Sequence, residues 1–267
     1  MADYDRLCLE CTKLSKSNSL KCNPRKGGKC TFEAFQKQRF STPTMRGKLN
    51  AVELYKAQHV KIDKFHKKYK KEHDDHKHHI IGAISLYARP PSHFPILNAC
   101  IIYRKLGIKH VFDPFAGWGD RCIAAMAMNI DYTGVDLNPK LQRGYNRLKS
   151  LYKTKSKVNV TCGVSCTDVR IPQNATACFS SPPFFHGGVL VEKYKNCETD
   201  YKRFMKTVLL KMFDRLRSKG LVVALHMPIP MYKDMKRPCS ARITYGSKSL
   251  KSKNSRVTSR NTVFIWK

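Results

Sequence analysis

The sequence predicts an α/β chain built on an open, mostly parallel sheet, and three observations predict it. From residue 95 onward, short apolar runs alternate with longer helical patterns. A turn bearing Gly117 and Gly119 joins the first of these runs to the helix after it. The chain closes on Asn261-Thr262-Val263-Phe264-Ile265-Trp266, whose β-branched and aromatic content suits a last strand.

Each element has its own signal. Residues 1–80 form a basic, Cys- and His-bearing region, and 81–267 the α/β domain. Within the first part, 45–79 carries spaced apolar residues (Met45, Leu49, Val52, Val60) and then the charged run FHKKYKKEHDDHKHH, a solvated helix or linker. A proline-rich joint at 89–92 precedes an apolar helix over 95–105. Strands follow at 110–113, 132–136, 158–162, 177–180 and 221–227. Helices are expected over 121–128, over 139–152 with Leu141, Tyr145, Leu148 and Leu151 on one face, and over 201–217. No internal repeat is visible.

Composition narrows the class. A chain of 267 residues with 42% hydrophobic content supports one good-sized core. No apolar run is long enough to span a bilayer, and the N-terminus lacks a signal-peptide core, so the eleven cysteines are expected as thiols or metal ligands in a reducing compartment, cytoplasmic or nuclear. Fifty-one Lys+Arg against 19 Asp+Glu give a net charge of +32. The excess is clustered: seven bases and no acid lie between Lys140 and Lys157, and nine bases against Asp234 alone between Lys233 and Arg260. Such one-signed clusters fit a polyanionic partner, a nucleic acid.

Two strings carry the chemistry. In Asp113-Pro114-Phe115-Ala116-Gly117-Trp118-Gly119-Asp120, glycines at a strand end let backbone approach a ligand ahead of a helix N-terminus. A dinucleotide fingerprint would have glycine where Cys122 stands, and the Gly-Lys-Ser/Thr of a Walker loop is missing, which disfavours NAD and ATP. S-adenosyl-L-methionine is the ligand this turn suits. Asp136 ends the second strand, 17 residues after Gly119, where a carboxylate accepts from both ribose hydroxyls. Asp168 is placed for an adenine amino group and Asp113 for the methionine end, with Pro114 and Phe115 in the same turn. The second string is Ser180-Ser181-Pro182-Pro183-Phe184-Phe185. An exocyclic amino nitrogen is a weak nucleophile because its lone pair is delocalised into the ring. Fixed acceptors for its two N–H groups draw it toward tetrahedral geometry, and the Ser181 side chain and Pro182 carbonyl are the natural pair. Pro182 and Pro183 stiffen the loop, and Phe184 offers a face on which an extruded base can stack.

Together DPFAGWGDR, GVDLNP and SSPPFF, in that order, resemble the amino-methyltransferases that modify adenine N6 or cytosine N4 in DNA. The resemblance covers about residues 85–267. It implies a Rossmann-like methyltransferase sheet with an antiparallel last strand and a cofactor contact at Phe94. Serine at 181 is more typical of cytosine-N4 enzymes, and Phe184 replaces the commoner tyrosine. RNA amino-methyltransferases use similar loops, typically with asparagine at that first position, so DNA is expected ahead of RNA. A non-catalytic nucleic-acid-binding protein on the same core is the alternative from another class. At the N-terminus, Cys8, Cys11, Cys22 and Cys30 would suit a structural zinc ion, although their irregular spacing also fits free thiols. His73, His76, His78 and His79 form a lysine-flanked run that fits a solvated helix.

Overall fold

The alternating apolar runs pair into a seven-stranded sheet in a computed structural model that describes residues 4–10, 30–31, 34–35, 42, 94–186, 189–192, 196–246 and 260–267. The expected helical segment 45–79, its histidine run, and Cys11 and Cys22 lie outside the described residues. The strands are β1 (His110–Asp113), β2 (Asp131–Asp136), β3 (Val158–Cys162), β4 (Ala177–Ser180), a small hairpin β5 (Phe185–His186) and β6 (Val189–Leu190), β7 (Val222–His226), β8 (Ala241–Gly246) and β9 (Arg260–Trp266). The helices are α1 (Ile96–Lys105), α2 (Asp120–Ala127), α3 (Gln142–Leu151), α4 (Tyr201–Phe204), α5 (Lys211–Ser218) and α6 (Ile229–Met235). A π-helical stretch, Met205–Leu210, joins α4 and α5 into one continuous rod.

The order across the large sheet is β3-β2-β1-β4-β7-β9-β8. The first five strands are parallel, and β9 enters antiparallel beside β7, with Ala224 opposite Ile265. The antiparallel last strand is therefore present, as expected. The order reverses between β1 and β4, so the site expected of such sheets lies beyond the carboxyl ends of these two strands and their neighbours.

Period-two alternation along the strands builds two cores. Val111, Ala177, Phe179, Ala224 and Ile265 face α1, α2 and α3. Phe112, Cys178, Val223, Leu225 and Phe264 face α4, α5 and α6. Described parts of the N-terminal region join the first core: Tyr4, Leu7, Cys30, Ala34 and Phe35 are all buried there. Phe35 meets Tyr145 edge-on at 5.0 Å and Trp118 at 6.2 Å. Tyr4 lies 4.8 Å from the ring of Tyr152, whose hydroxyl donates to the Cys30 carbonyl. Among the described residues, the helical run 4–10, the hairpin, α6 and β8 have no counterpart among the sequence expectations.

Candidate active site

The glycine turn is held open by two left-handed residues, Gly117 at φ 62° and Gly119 at φ 81°. At Gly119 a side chain is excluded twice over, because a Cβ would lie 2.6 Å from the Phe35 ring. Below the turn Tyr145 donates to the Gly117 carbonyl at 2.9 Å. Above it the Gly117 N–H donates to Asp136 Oδ2 at 2.8 Å, and the Asn138 N–H donates to Oδ1 at 2.9 Å. Burial pushes the Asp136 carboxyl up to about 6, against the pull of those two N–H donors. Each of its oxygens keeps acceptor capacity beyond one such bond, which fits a pair of ligand hydroxyls.

Asp113 has a different part from the one expected. Its carboxylate is fully buried and points into the molecule, not toward a ligand. Arg121 Nε donates to Oδ2 at 2.7 Å, as does the Tyr132 hydroxyl at 2.7 Å, and the Ser180 hydroxyl donates to Oδ1 at 2.6 Å. With both oxygens occupied by buried partners, Asp113 shapes the turn from beneath. Arg121, itself 5% exposed, also donates to the carbonyls of Phe115 and Ala116, so one guanidinium ties the strand end to the loop after it. Pro114 is buried in this turn, and Phe115 donates its N–H to Ser180 Oγ at 3.1 Å.

The serine–proline loop starts where β4 ends, and its side chains diverge. Ser180 turns inward to Asp113, binding this loop to the glycine turn. Ser181 Oγ lies 3.1 Å from His226 Nδ1 and 3.3 Å from the His226 carbonyl. Phe184 is half-buried with its ring 5.5 Å from that imidazole, and Phe94 meets the imidazole from another side at 5.1 Å. Phe185 leaves in the opposite direction, toward Tyr201 at 5.3 Å and Phe204 at 5.2 Å. Phe204 also touches Phe115 at 6.2 Å, so the start of α4 clasps both loops. Trp118 Nε1 donates to Glu192 at 3.1 Å, tying the glycine turn to the segment that follows β6.

The structure thus gathers Gly117, Gly119, Asp136, Ser181, Pro182, Pro183 and Phe184 at the carboxyl ends of neighbouring strands. Phe94 joins them through Phe179, 5.4 Å away, and through its N–H, which donates to Asp120 Oδ2 at 3.0 Å. Asp168 lies on an exposed turn after β3, where the Thr167 hydroxyl donates to it at 3.0 Å. Sequence reasoning missed Arg121 and His226. The first stands one residue after the turn's Asp120, and the second is a polar residue ending the buried run VVALH. As to zinc, Cys30 is buried in the first core and Cys8 packs against it, and among the described residues no three His, Cys, Asp or Glu side chains gather to hold a metal ion.

No protein-family model matches the chain, and no curated protein does. Among solved structures it is similar to the tRNA (uracil-54, C5)-methyltransferase of Pyrococcus abyssi in complex with S-adenosyl-L-homocysteine, at 13% identity and a TM-score of 0.41 over 66% of this chain and 39% of that one. It is also similar to an rRNA methylase from Streptococcus thermophilus, at 11% identity and a TM-score of 0.40 over 66% and 98% of the two chains. TehB from Haemophilus influenzae stands at 10% identity and a TM-score of 0.42, over 68% and 65%. The chain spans about two fifths of the length of the Pyrococcus abyssi protein. The fold is Rossmann-like, and the sheet order itself carries that statement. Among the described residues no helix is long and apolar enough to cross a membrane.

Proposed function

We propose that this chain is an S-adenosylmethionine-dependent methyltransferase that acts on the exocyclic amino nitrogen of a nucleic-acid base, cytosine N4 or adenine N6, in DNA. One observation carries the reading. The Ser180–Asp113 hydrogen bond joins the base of a ligand-type glycine turn to the base of a loop that displays Ser181, Pro182 and Phe184. Two half-sites that would each be weak alone are thereby held in register.

Bound S-adenosylmethionine supplies an electrophilic methyl group. The chain's part is to hold and to orient. Asp136 accepts from the ribose hydroxyls, and Gly117 and Gly119 supply the left-handed backbone by which the turn approaches the ligand. Ser181 Oγ and the Pro182 carbonyl accept from the two amino N–H groups, localising the nitrogen lone pair. Phe184 stacks on the extruded base. Pro182 and Pro183 fix the loop's backbone angles, so this geometry is set before the base arrives.

The basic surface supports a nucleic-acid substrate. Lys140, Arg143 and Arg147 are exposed along one face of the segment leading into and through α3, opposite the buried Tyr145 and Leu148. Phosphates are the partner such a stripe suits. The test is transfer of labelled methyl from S-adenosylmethionine to duplex DNA, single-stranded DNA and RNA, followed by nucleoside analysis. N4-methylcytosine or N6-methyladenine in DNA is expected, with Ser181→Ala slower by about 10²-fold. Label confined to ribonucleosides would move the same chemistry to RNA. No label and no cofactor binding would leave a nucleic-acid-binding protein on this core.

A further inference from the structure

We propose that His226 is a positioning residue that sets the Ser181 hydroxyl as a hydrogen-bond acceptor, a role that rests on the amino-methyltransferase reading above. A serine hydroxyl has one hydrogen and two lone pairs. To accept from an amino group, Ser181 must direct its hydrogen elsewhere and keep a lone pair toward the base. Left to rotate, the hydroxyl would spend part of its time offering its own hydrogen to the incoming N–H, which is repulsive.

His226 removes that freedom. Its Nδ1 lies 3.1 Å from Ser181 Oγ, and its carbonyl lies 3.3 Å away on the same residue. With the ring's hydrogen on Nε2, Nδ1 takes the serine hydrogen and the oxygen's lone pairs are left for the substrate. With the hydrogen on Nδ1, the ring would itself occupy one of those lone pairs. The tautomer therefore decides how much of the Ser181 oxygen is left for the substrate: both lone pairs when Nδ1 accepts, one when Nδ1 donates.

The ring is held for this task. His226 ends β7, paired with Val263 of β9, and is 8% exposed. Phe94 meets its ring at 75° between planes and Phe184 at 61°. Because Phe184 is also the stacking face, a single imidazole supports both the acceptor and the platform. A base seated on Phe184 is thereby brought to the serine that His226 has set.

Two measurements test this. In protein carrying nitrogen-15 histidine, the His226 signals are expected to show an unprotonated Nδ1 that shifts when Ser181→Ala removes its donor. A protonated Nδ1, or one indifferent to Ser181→Ala, overturns the proposal. In the transfer assay, His226→Phe is expected to lower kcat about tenfold, the worth of one ordinary hydrogen bond, with KM for S-adenosylmethionine unchanged. His226→Asn, whose Oδ1 substitutes as acceptor, is expected to recover most of the loss. An unchanged kcat in His226→Phe, or equal losses in both variants, overturns the proposal. Wild-type protein that shows the nitrogen signature yet methylates no base overturns the functional reading and the role with it. Active protein without the signature overturns the role alone.

Discussion

Asp136 shows how one carboxylate can be tuned by its surroundings. Burial raises its titration to about 6 although two backbone N–H groups favour the anion. A carboxylate accepts from ligand hydroxyls better than a carboxylic acid does, so binding favours the deprotonated form. Affinity for S-adenosylmethionine should accordingly be level above pH 7 and fall as the pH drops through 6, and calorimetric titration between pH 8 and 5 would trace it. The linkage to folding has the opposite sense: a raised folded-state value makes this group's contribution to stability greatest at low pH and lost as the pH rises through 6. Asp136→Asn should weaken cofactor binding about 10- to 100-fold, the worth of hydrogen bonds to a charged group. Arg121 poses a stability question instead. Its replacement by Met would strand the buried Asp113 carboxylate without its cation, at a cost of about 3–5 kcal/mol seen as a lower urea midpoint. Arg121→Lys should recover only part, since an ammonium lacks the fork that spans a carboxylate and two carbonyls. The strings DPFAGWGD, GVDLNP and SSPPFF point to the turns that carry Asp136, Ser181 and Phe184, because turn chemistry is local. The same strings put Asp113 in the right turn but hide its partners. Its orientation depends on Tyr132 and Ser180, which meet it only through sheet pairing.

At the level of elements, the β1–α2 turn is set as much by what packs behind it as by its own glycines. Gly119→Ala places a methyl group against the Phe35 ring in a left-handed conformation, and should cost about 2–4 kcal/mol in chemical denaturation. Phe35→Ala removes a fully buried ring and should cost about 3–5 kcal/mol. Made together, the two changes should cost less than their sum, because the smaller residue vacates the space that the new methyl needs. A strictly additive result would show that the two do not touch in solution. Of the parallel strands, β1, β4 and β7 are legible as short runs buried almost throughout, and β3 by its alternation of half-buried and exposed residues. β8 is not: it lies at the sheet edge, pairs only with β9, and begins with Ala241 and Arg242 exposed. Arg242 lies 5.0 Å from the Tyr232 ring and 5.5 Å from that of Phe264, a use of charge that hydropathy patterning hides. The hairpin of β5 and β6 has two residues per strand, too short for any period to show.

Over the whole molecule, net charge governs the encounter with a partner. At +32 the chain should bind nucleic acid with an affinity that falls steeply with salt. Replacing Lys140, Arg143 and Arg147 with Glu should weaken binding across sequences alike and flatten the log–log salt slope by up to about 3, as read by fluorescence anisotropy. An unchanged slope would place the phosphate track on another face. The described N-terminal residues belong to this larger architecture too. The two oxygens of Asp120 are divided between distant parts of the chain: Oδ1 accepts from the Thr31 hydroxyl at 2.8 Å, and Oδ2 from the Phe94 N–H. Phe94 in turn rests on the imidazole behind Ser181. A chain trimmed to the sheet and its helices would thus lose more than an appendage. Thr31 would no longer hold Asp120 and Phe35 would no longer back Gly119, so the floor of the site and one of its walls would loosen together while the serine–proline loop remained covalently intact.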